Sequence, residues 1–346
     1  MGVFSSGGVG LDLGSANLTI CLENEGVVLR EPSYVLTMRD DTDDVLGVGR
    51  DARQMLGRTP RDVALSSPVM DGAVADVEMA TLLMKALSEK ALGKRRALEK
   101  NRLVVSLSTG ATRVEYAAAA DAVRGAGARK SALIRASVAA ALGGGLSIDE
   151  ARGMMVVLIG GSTTEVAVIS MNGIVAARTT RTGSLAMDEA IMRYIRREKG
   201  LIIGQRTAED LKIDLGTAME IPMDKLENVT LRGRDAKTGR PATAAINQLD
   251  VQRAILPALD NLLESIREAF ENTPAELAED LLANGVHLSG GGALLDGLRE
   301  RLASMLNIPV TIGENPQDEV ALGACIAASD DRIYHKLAAS NALLEL

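Results

Sequence analysis

The chain has 346 residues, 47% of them hydrophobic and 24% charged, which suits two folded domains with sizeable cores and excludes a disordered polypeptide. With 46 acidic against 38 basic residues the net charge is −8, which excludes broad nucleic-acid binding. Two cysteines, two histidines and no tryptophan exclude a disulfide scaffold, a Cys/His zinc centre and a Ser-His-Asp hydrolase. No apolar run reaches the ~20 residues that span a bilayer, and no charged segment precedes an apolar one at the start, so a cytoplasmic protein is expected.

After the leader Met1–Gly7, apolar alternation predicts strands Val9–Leu13 and Asn17–Leu22 around the turn Gly14-Ser15-Ala16. Val27–Leu29 and Tyr34–Thr37 continue as strands, Asp40–Asp44 reads as a solvated loop, and the charged segment Arg50–Arg61 caps a small appended lobe. Val77–Leu92 carries Met79, Leu82, Leu83, Ala86 and Leu87 at helical spacing, and Leu103–Leu107 is a strand. The alanine-rich stretches Ala111–Ala126 and Ser131–Leu142 read as helices. A second unit opens at Gly143-Gly144-Gly145 with strands Met155–Ile159, Glu165–Ile169 and Ile174–Arg178, the last two joined by an Asn172-Gly173 hairpin turn. This repeats the opening meander. Leu185–Glu198 and Thr207–Asp214 are helical, and Ile221–Ala245 reads as strands and loops of a second appended lobe. Val251–Phe270 and Pro274–Leu282 are helices, Val286–Leu288 is a strand entering Gly290-Gly291-Gly292, and helix and strand alternate to the end. The pattern predicts an α/β protein of two similar halves around a cleft.

Three glycine-centred turns each follow an apolar strand: Asp12-Leu13-Gly14-Ser15-Ala16-Asn17, Gly160-Gly161-Ser162-Thr163-Thr164 and Ser289-Gly290-Gly291-Gly292-Ala293. Small residues let backbone N–H groups approach an anion, and the hydroxyls of Ser15, Ser162 and Thr163 add donors. A single such turn is only a turn. Two of them in duplicated hairpins suit a clamp on a polyphosphate.

In these and further segments the sequence resembles the MreB group of bacterial actin-like filament proteins, within the actin, Hsp70 and sugar-kinase superfamily. The resemblance covers nearly the whole chain. It rests on Gly10-Leu11-Asp12-Leu13-Gly14-Ser15-Ala16-Asn17, Leu29-Arg30-Glu31-Pro32-Ser33, Met55-Leu56-Gly57-Arg58-Thr59-Pro60, Asp71-Gly72-Ala73-Val74-Ala75-Asp76, Arg206-Thr207-Ala208-Glu209-Asp210-Leu211-Lys212 and Leu288-Ser289-Gly290-Gly291-Gly292-Ala293-Leu294-Leu295. It implies duplicated actin-like (ribonuclease H-like) domains around a nucleotide cleft, each with a small appended subdomain. The first domain would span 1–142, with its lobe at about 33–65 and helices 318–340 packing back on it; the second would span 143–317, with its lobe at about 182–246. By the same resemblance the cofactors are ATP or ADP with a loosely held Mg2+ near Asp12. Gly14, Ser15, Ala16 and Asn17 would embrace the phosphates together with Gly160, Gly161, Ser162 and Thr163. Glu209 and Lys212, sharing a helix face at i and i+3, would meet ribose and adenine, and Gly290, Gly291 and Gly292 would line the adenosine pocket.

Two departures bear on catalysis. Superposing the two hairpins sets Asp12 against Leu158, where the family usually has a second Asp that helps hold magnesium and the attacking water. In Leu133-Ile134-Arg135-Ala136-Ser137-Val138 the family reads Glu-Glu-Pro after Leu-Ile, and its water-orienting Glu falls at Ala136. Phosphoryl transfer to water depends on placing the nucleophile and neutralising charge, so impaired hydrolysis is expected, with no catalytic residue identified. A displaced carboxylate such as Glu165 is the alternative, giving an active polymerisation ATPase. A sugar-kinase-like phosphotransferase lacks a candidate base, and a non-polymerising regulator that co-assembles with another MreB paralogue is a further reading.

The resemblance also implies self-assembly into filaments, peripheral attachment to the inner membrane, and membrane-embedded shape or wall-synthesis proteins as partners. Leu92–Arg102 holds Lys94, Arg95, Arg96, Lys100 and Arg102 beside Leu92 and Leu98, a candidate contact with anionic lipid. Met1–Ser6 matches an acylation pattern formally, but Val3 and Phe4 read better as a weak apolar anchor or a frayed end. His287 reads as a hydrogen-bonded core residue, Cys21 and Cys325 as packing residues, and Asn341–Leu346 as partly disordered.

Overall fold

The computed structural model describes residues 7–42, 44–93, 97–222 and 226–346. Strands β1 (Gly8–Leu13), β2 (Asn17–Leu22) and β3 (Gly26–Pro32) form an antiparallel meander, and a lobe follows from β4 (Val35–Met38), β5 (Val45–Val48), α1 (Arg50–Gln54) and β6 (Val63–Ser66). Short strands β7 (Val69–Met70) and β8 (Ala73–Val74) lead into α2 (Val77–Leu92), β9 (Arg102–Leu107), α3 (Arg113–Gly125), β10 (Lys130–Arg135) and α4 (Ala136–Gly143). The second half begins with the meander β11 (Met154–Ile159), β12 (Thr164–Ser170) and β13 (Gly173–Thr180), then α5 (Ser184–Glu198), β14 (Leu201–Ile202) and α6 (Gln205–Leu215). It continues through β15 (Val229–Asp235), β16 (Pro241–Ile246), α7 (Gln248–Glu271), α8 (Ala275–Asn284), β17 (Val286–Ser289), α9 (Leu298–Leu306) and β18 (Val310–Ile312). The chain ends with α10 (Glu319–Ser329), α11 (Asp331–Ala339) and β19 (Leu343–Glu345).

The two large sheets repeat one order. β3-β2-β1-β9-β10 matches β13-β12-β11-β17-β18, antiparallel through the meander and parallel thereafter, and β19 adds a sixth strand beside β10. Local chemistry fixes the helices between them. Asp76 accepts from Met79 N at the start of α2, and α3 and α7 open with reciprocal capping boxes, Thr112/Glu115 and Asn247/Asp250, which satisfy otherwise orphaned amides. One core lies between the first sheet and α2 and α3, another between the second sheet and α5 and α7. A third joins the halves, with Ile134, Val156, Leu158 and Ile169 of the two sheets packed around α4 and α10. There α4 and α10 cross backbone to backbone: a methyl group at Gly143 would overlap the Glu319 carbonyl, and one at Gly323 the Ala139 carbonyl.

Four expectations are corrected. Ser131–Leu142 is not one helix but the strand β10 followed by α4; its first half is buried between β9 and β19, and a buried strand shows no period that separates it from a buried helix. The β12–β13 turn is Met171-Asn172, both at positive φ (51° and 62°), with Gly173 already paired to Ser170. Asn341–Leu346 is ordered, because β19 pairs with β10 and Leu346 N donates to Ser131 O at 3.0 Å. Leu98 is 3% exposed and belongs to the first core, and Arg102 is held by Asp331 at 2.6 Å and lies over the Tyr334 ring, so neither is free for lipid. Lys94, Arg95 and Arg96, the Met1–Ser6 anchor, and residues 43 and 223–225 of the two predicted loop regions lie outside the described residues. Among those described, no helix is long and apolar enough to cross a membrane.

Candidate functional site

The two meanders end in matching turns. Gly14 N donates to Asn17 O at 3.1 Å and Gly160 N to Thr163 O at 2.8 Å, while Asp12 pairs across its hairpin with Thr19 and Leu158 with Glu165. Asp12 and Leu158 are thus equivalent, as are Thr19 and Glu165. The turns face each other closely enough that the Ser15 and Ser162 hydroxyls form a hydrogen bond of 2.5 Å. Between the halves lies a cavity of about 410 Å³ lined by Asp12, Gly14, Ser15, Ala16 and Asn17 on one side and Gly160, Gly161 and Thr163 on the other. Glu209, Lys212, Gly290, Gly291 and Gly292 line its far end. Gly290 sits at φ 83°, where a side chain would run into the Ile159 carbonyl, a place that only glycine fills without strain. Ser162 alone among the candidates is not part of the lining; its hydroxyl turns to Ser15 and to Gly72 N at 3.2 Å.

At the floor, burial pushes the Asp12 carboxyl up to about 6; the Ser106 hydroxyl, donating at 2.6 Å, opposes this and the Glu165 charge adds to it. Ser106 Oγ also accepts from Leu13 N at 3.1 Å, which fixes its rotamer. Glu165 is 2% exposed and accepts from Thr109 N at 3.0 Å. Burial raises its pKa against the hydrogen bonds of Thr109 and Ser108 and the charge of Arg135. Arg135, in turn, donates to the Ser108 and Thr109 carbonyls. Leu158 and Ala136 present only carbon to the cavity, and among the described residues no group of three His, Cys, Asp or Glu side chains is placed to hold a metal.

At the far end Glu209 and Lys212 do not pair with each other. Glu209 forms an ion pair with Arg53 of α1, bridging the two lobes across the cleft mouth, and Lys212 is held by Asp188 at 2.7 Å and Ser184 O at 3.1 Å. Asp188 is 1% exposed, and burial raises its carboxyl from 3.8 to about 6 against the pull of Lys212. A carboxyl whose folded pKa lies above its unfolded one stabilises the fold at low pH and loses that contribution as pH rises through the folded value. Between pH 5 and 7.5 the wild type should therefore lose about 1 kcal/mol more stability than Asp188→Asn. Urea unfolding at several pH values measures this, and parallel slopes for the two proteins would contradict it.

The chain matches the profile of the MreB/Mbl protein family over residues 6–336. It is 40% identical to the cell shape-determining protein MreB of Escherichia coli (strain K12) over 325 residues, covering 93% of each chain, and 39% identical to Mbl of Bacillus subtilis (strain 168) over 315 residues, covering 91% of this chain and 93% of that one. The chain belongs to the MreB/Mbl family. Its fold is actin-like: the structure of MreB5 of Spiroplasma citri bound to AMPPNP superimposes with a TM-score of 0.87 at 29% identity, covering 96% of this chain and 98% of that one. The MamK double helical filament subunit shares the fold at 18% identity, with a TM-score of 0.75 and coverage of 93% and 98%. Within this MreB/Mbl chain the sequence reading missed Ser106, Ser108, Arg53 and Asp188. Asp188 alone leaves a trace in the sequence, as a lone acid on the helix face that buries Met187, Ile191 and Ile195. The others act through partners 94 to 156 residues distant, or from the turn that holds Glu165.

Proposed function

We propose that this protein is a filament-forming scaffold of cell shape or wall synthesis that binds adenine nucleotide in the cleft, works at the cytoplasmic face of the inner membrane, and hydrolyses ATP slowly. The observation that carries the reading is that two matching glycine turns face one cavity whose lining includes Leu158 and Ala136, the positions where the resemblance to the family leads one to expect the hydrolytic carboxylates. The relatives named as cell shape-determining proteins and the neighbours solved with AMPPNP and ADP support it. Gly14–Asn17 and Gly160–Thr163 would hold the phosphates, and Glu209, Lys212 and Gly290–Gly292 the nucleoside, once Arg53 and Asp188 share their partners with it. Mg2+ fits a site with one carboxylate, because the ion is commonly bound by one or two carboxylates with phosphate oxygens and water; it would neutralise phosphate charge beside Asp12. Glu165, which lines the cavity beside Leu158, supports the second reading of an active ATPase with a displaced carboxylate.

Longitudinal contacts between copies are heterologous and open-ended, so they give filaments rather than rings. The protein with ATP or AMPPNP is expected to pellet above a threshold concentration and to show protofilaments by electron microscopy; a strict monomer throughout would oppose the scaffold reading. The membrane proposal now rests on Lys94, Arg95, Arg96 and exposed Lys100, each contributing about 1 kcal/mol near an anionic surface and multiplied by avidity in a filament. Flotation with anionic liposomes should weaken with salt and after neutralising these four charges. A second MreB paralogue and membrane-embedded shape or wall-synthesis proteins are the proposed partners.

A further inference from the structure

Ser162 occupies an unusual place in the cleft. Its neighbours Gly160, Gly161 and Thr163 line the cavity, while its hydroxyl bridges the seam between the halves, hydrogen-bonded to the Ser15 hydroxyl at 2.5 Å and accepting from Gly72 N at 3.2 Å. The next residues continue the closure. The Thr163 methyl fills the space a side chain at Gly72 would take, Glu165 accepts from Thr109 N at 3.0 Å, and farther out Arg181 reaches Glu115 at 3.3 Å. A backbone N–H and a serine hydroxyl converging on one oxygen is the donor set that a phosphate oxygen recruits. Here a protein hydroxyl takes it.

We propose that Ser162 is a specificity-determining residue that fills the place of a terminal phosphate oxygen, so that the cleft selects a nucleoside diphosphate over a triphosphate. The inference rests on the nucleotide-binding reading above and adds the ligand class. A phosphoryl group seated between two hydroxyls holds each near hydrogen-bond distance of a different oxygen, so the hydroxyls stand roughly 5 Å apart. At 2.5 Å, Ser15 and Ser162 leave no such gap. Admitting a third phosphate therefore requires breaking the Ser15–Ser162 and Gly72–Ser162 hydrogen bonds and parting a seam held at Ser162, Thr163 and Glu165. It also brings negative charge into a cavity lined by Asp12 and Glu165. On this proposal a diphosphate lies between the Gly290–Gly292 end and the seam and leaves both hydrogen bonds in place.

Calorimetric titration of ADP and AMPPNP, each with magnesium, into the wild type, Ser162→Ala and Ser162→Gly tests this. The wild type should bind ADP at least about tenfold more tightly than AMPPNP. In both variants the ratio should fall to within about threefold, chiefly through tighter AMPPNP binding, since Gly72 N and the Ser15 hydroxyl become free for phosphate. Two variants of different backbone freedom guard against a folding artefact, and an unchanged urea-unfolding midpoint shows that the fold is intact. Equal affinity of the wild type for the two nucleotides, or a ratio unmoved by Ser162→Ala, overturns the proposal while leaving nucleotide binding in place. Failure of the wild type to bind either nucleotide overturns the nucleotide reading and this inference with it.

Discussion

Leu158→Asp combined with Ala136→Glu is expected to raise single-turnover ATP hydrolysis by about 10²–10³-fold over the wild type, the range that one well-placed electrostatic or positioning group supplies. The structure gives the reason for both positions. Leu158 is the register equivalent of Asp12 on the opposite meander, and Ala136 opens α4 directly after β10, with its methyl on the cavity wall. A carboxylate at 158 would complete a pair around the cation, and one at 136 would orient water toward the terminal phosphate. Leu158→Asp alone should give a smaller gain, and it needs a parallel measurement of nucleotide affinity and of folding, because a carboxylate at a site 7% exposed is costly until a cation or proton accompanies it. Wild-type turnover equal to the double variant would end the impaired-hydrolysis reading. Glu165→Gln decides between the two readings: loss of a substantial wild-type rate assigns the chemistry to Glu165.

The second large effect concerns stability. Gly323→Ala should cost about 3–5 kcal/mol, more than most single substitutions, although alanine is intrinsically the better helix former by about 1 kcal/mol. The new methyl meets a backbone carbonyl of α4, which cannot rotate away as a side chain would, so two helices of the shared core must separate. Gly291→Ala is the control, with negative φ and no atom near the added methyl, and should change stability by less than about 1 kcal/mol. Chemical denaturation of both variants settles the comparison, and similar midpoints would contradict the backbone contact.

How much of this was legible in the sequence depends on how local the signal is. The two meanders follow from alternating residues around glycine turns, and their duplication predicts the repeated sheet order. Periodicity could not divide Ser131–Leu142, because β10 is a strand only by virtue of β9 and β19 beside it, and the β19 residues it pairs with are 209 to 213 positions away in the chain. The same holds in the site. Gly14–Asn17 and Gly160–Thr163 mark themselves by composition, whereas the Ser15–Ser162 hydrogen bond and the Arg53–Glu209 ion pair join residues 147 and 156 positions apart. Folding brings them together across the cleft, and no spacing rule in the sequence foretells it.

The crossing of α4 and α10 sets how the halves can move. The chain passes from the first half to the second immediately after α4, and it returns immediately before α10, so both covalent links lie side by side at the base of the cleft. With the two backbones in contact there, sliding one half past the other would disrupt the close-packed crossing, whereas rotation about that line would preserve it, like covers about a spine. The facing turns lie between this pivot and the lobes that carry Arg53 and Glu209. Rotation about that line would therefore displace the facing turns little and the tips of the lobes more, so that a small change between Ser15 and Ser162 would be enlarged at Arg53 and Glu209.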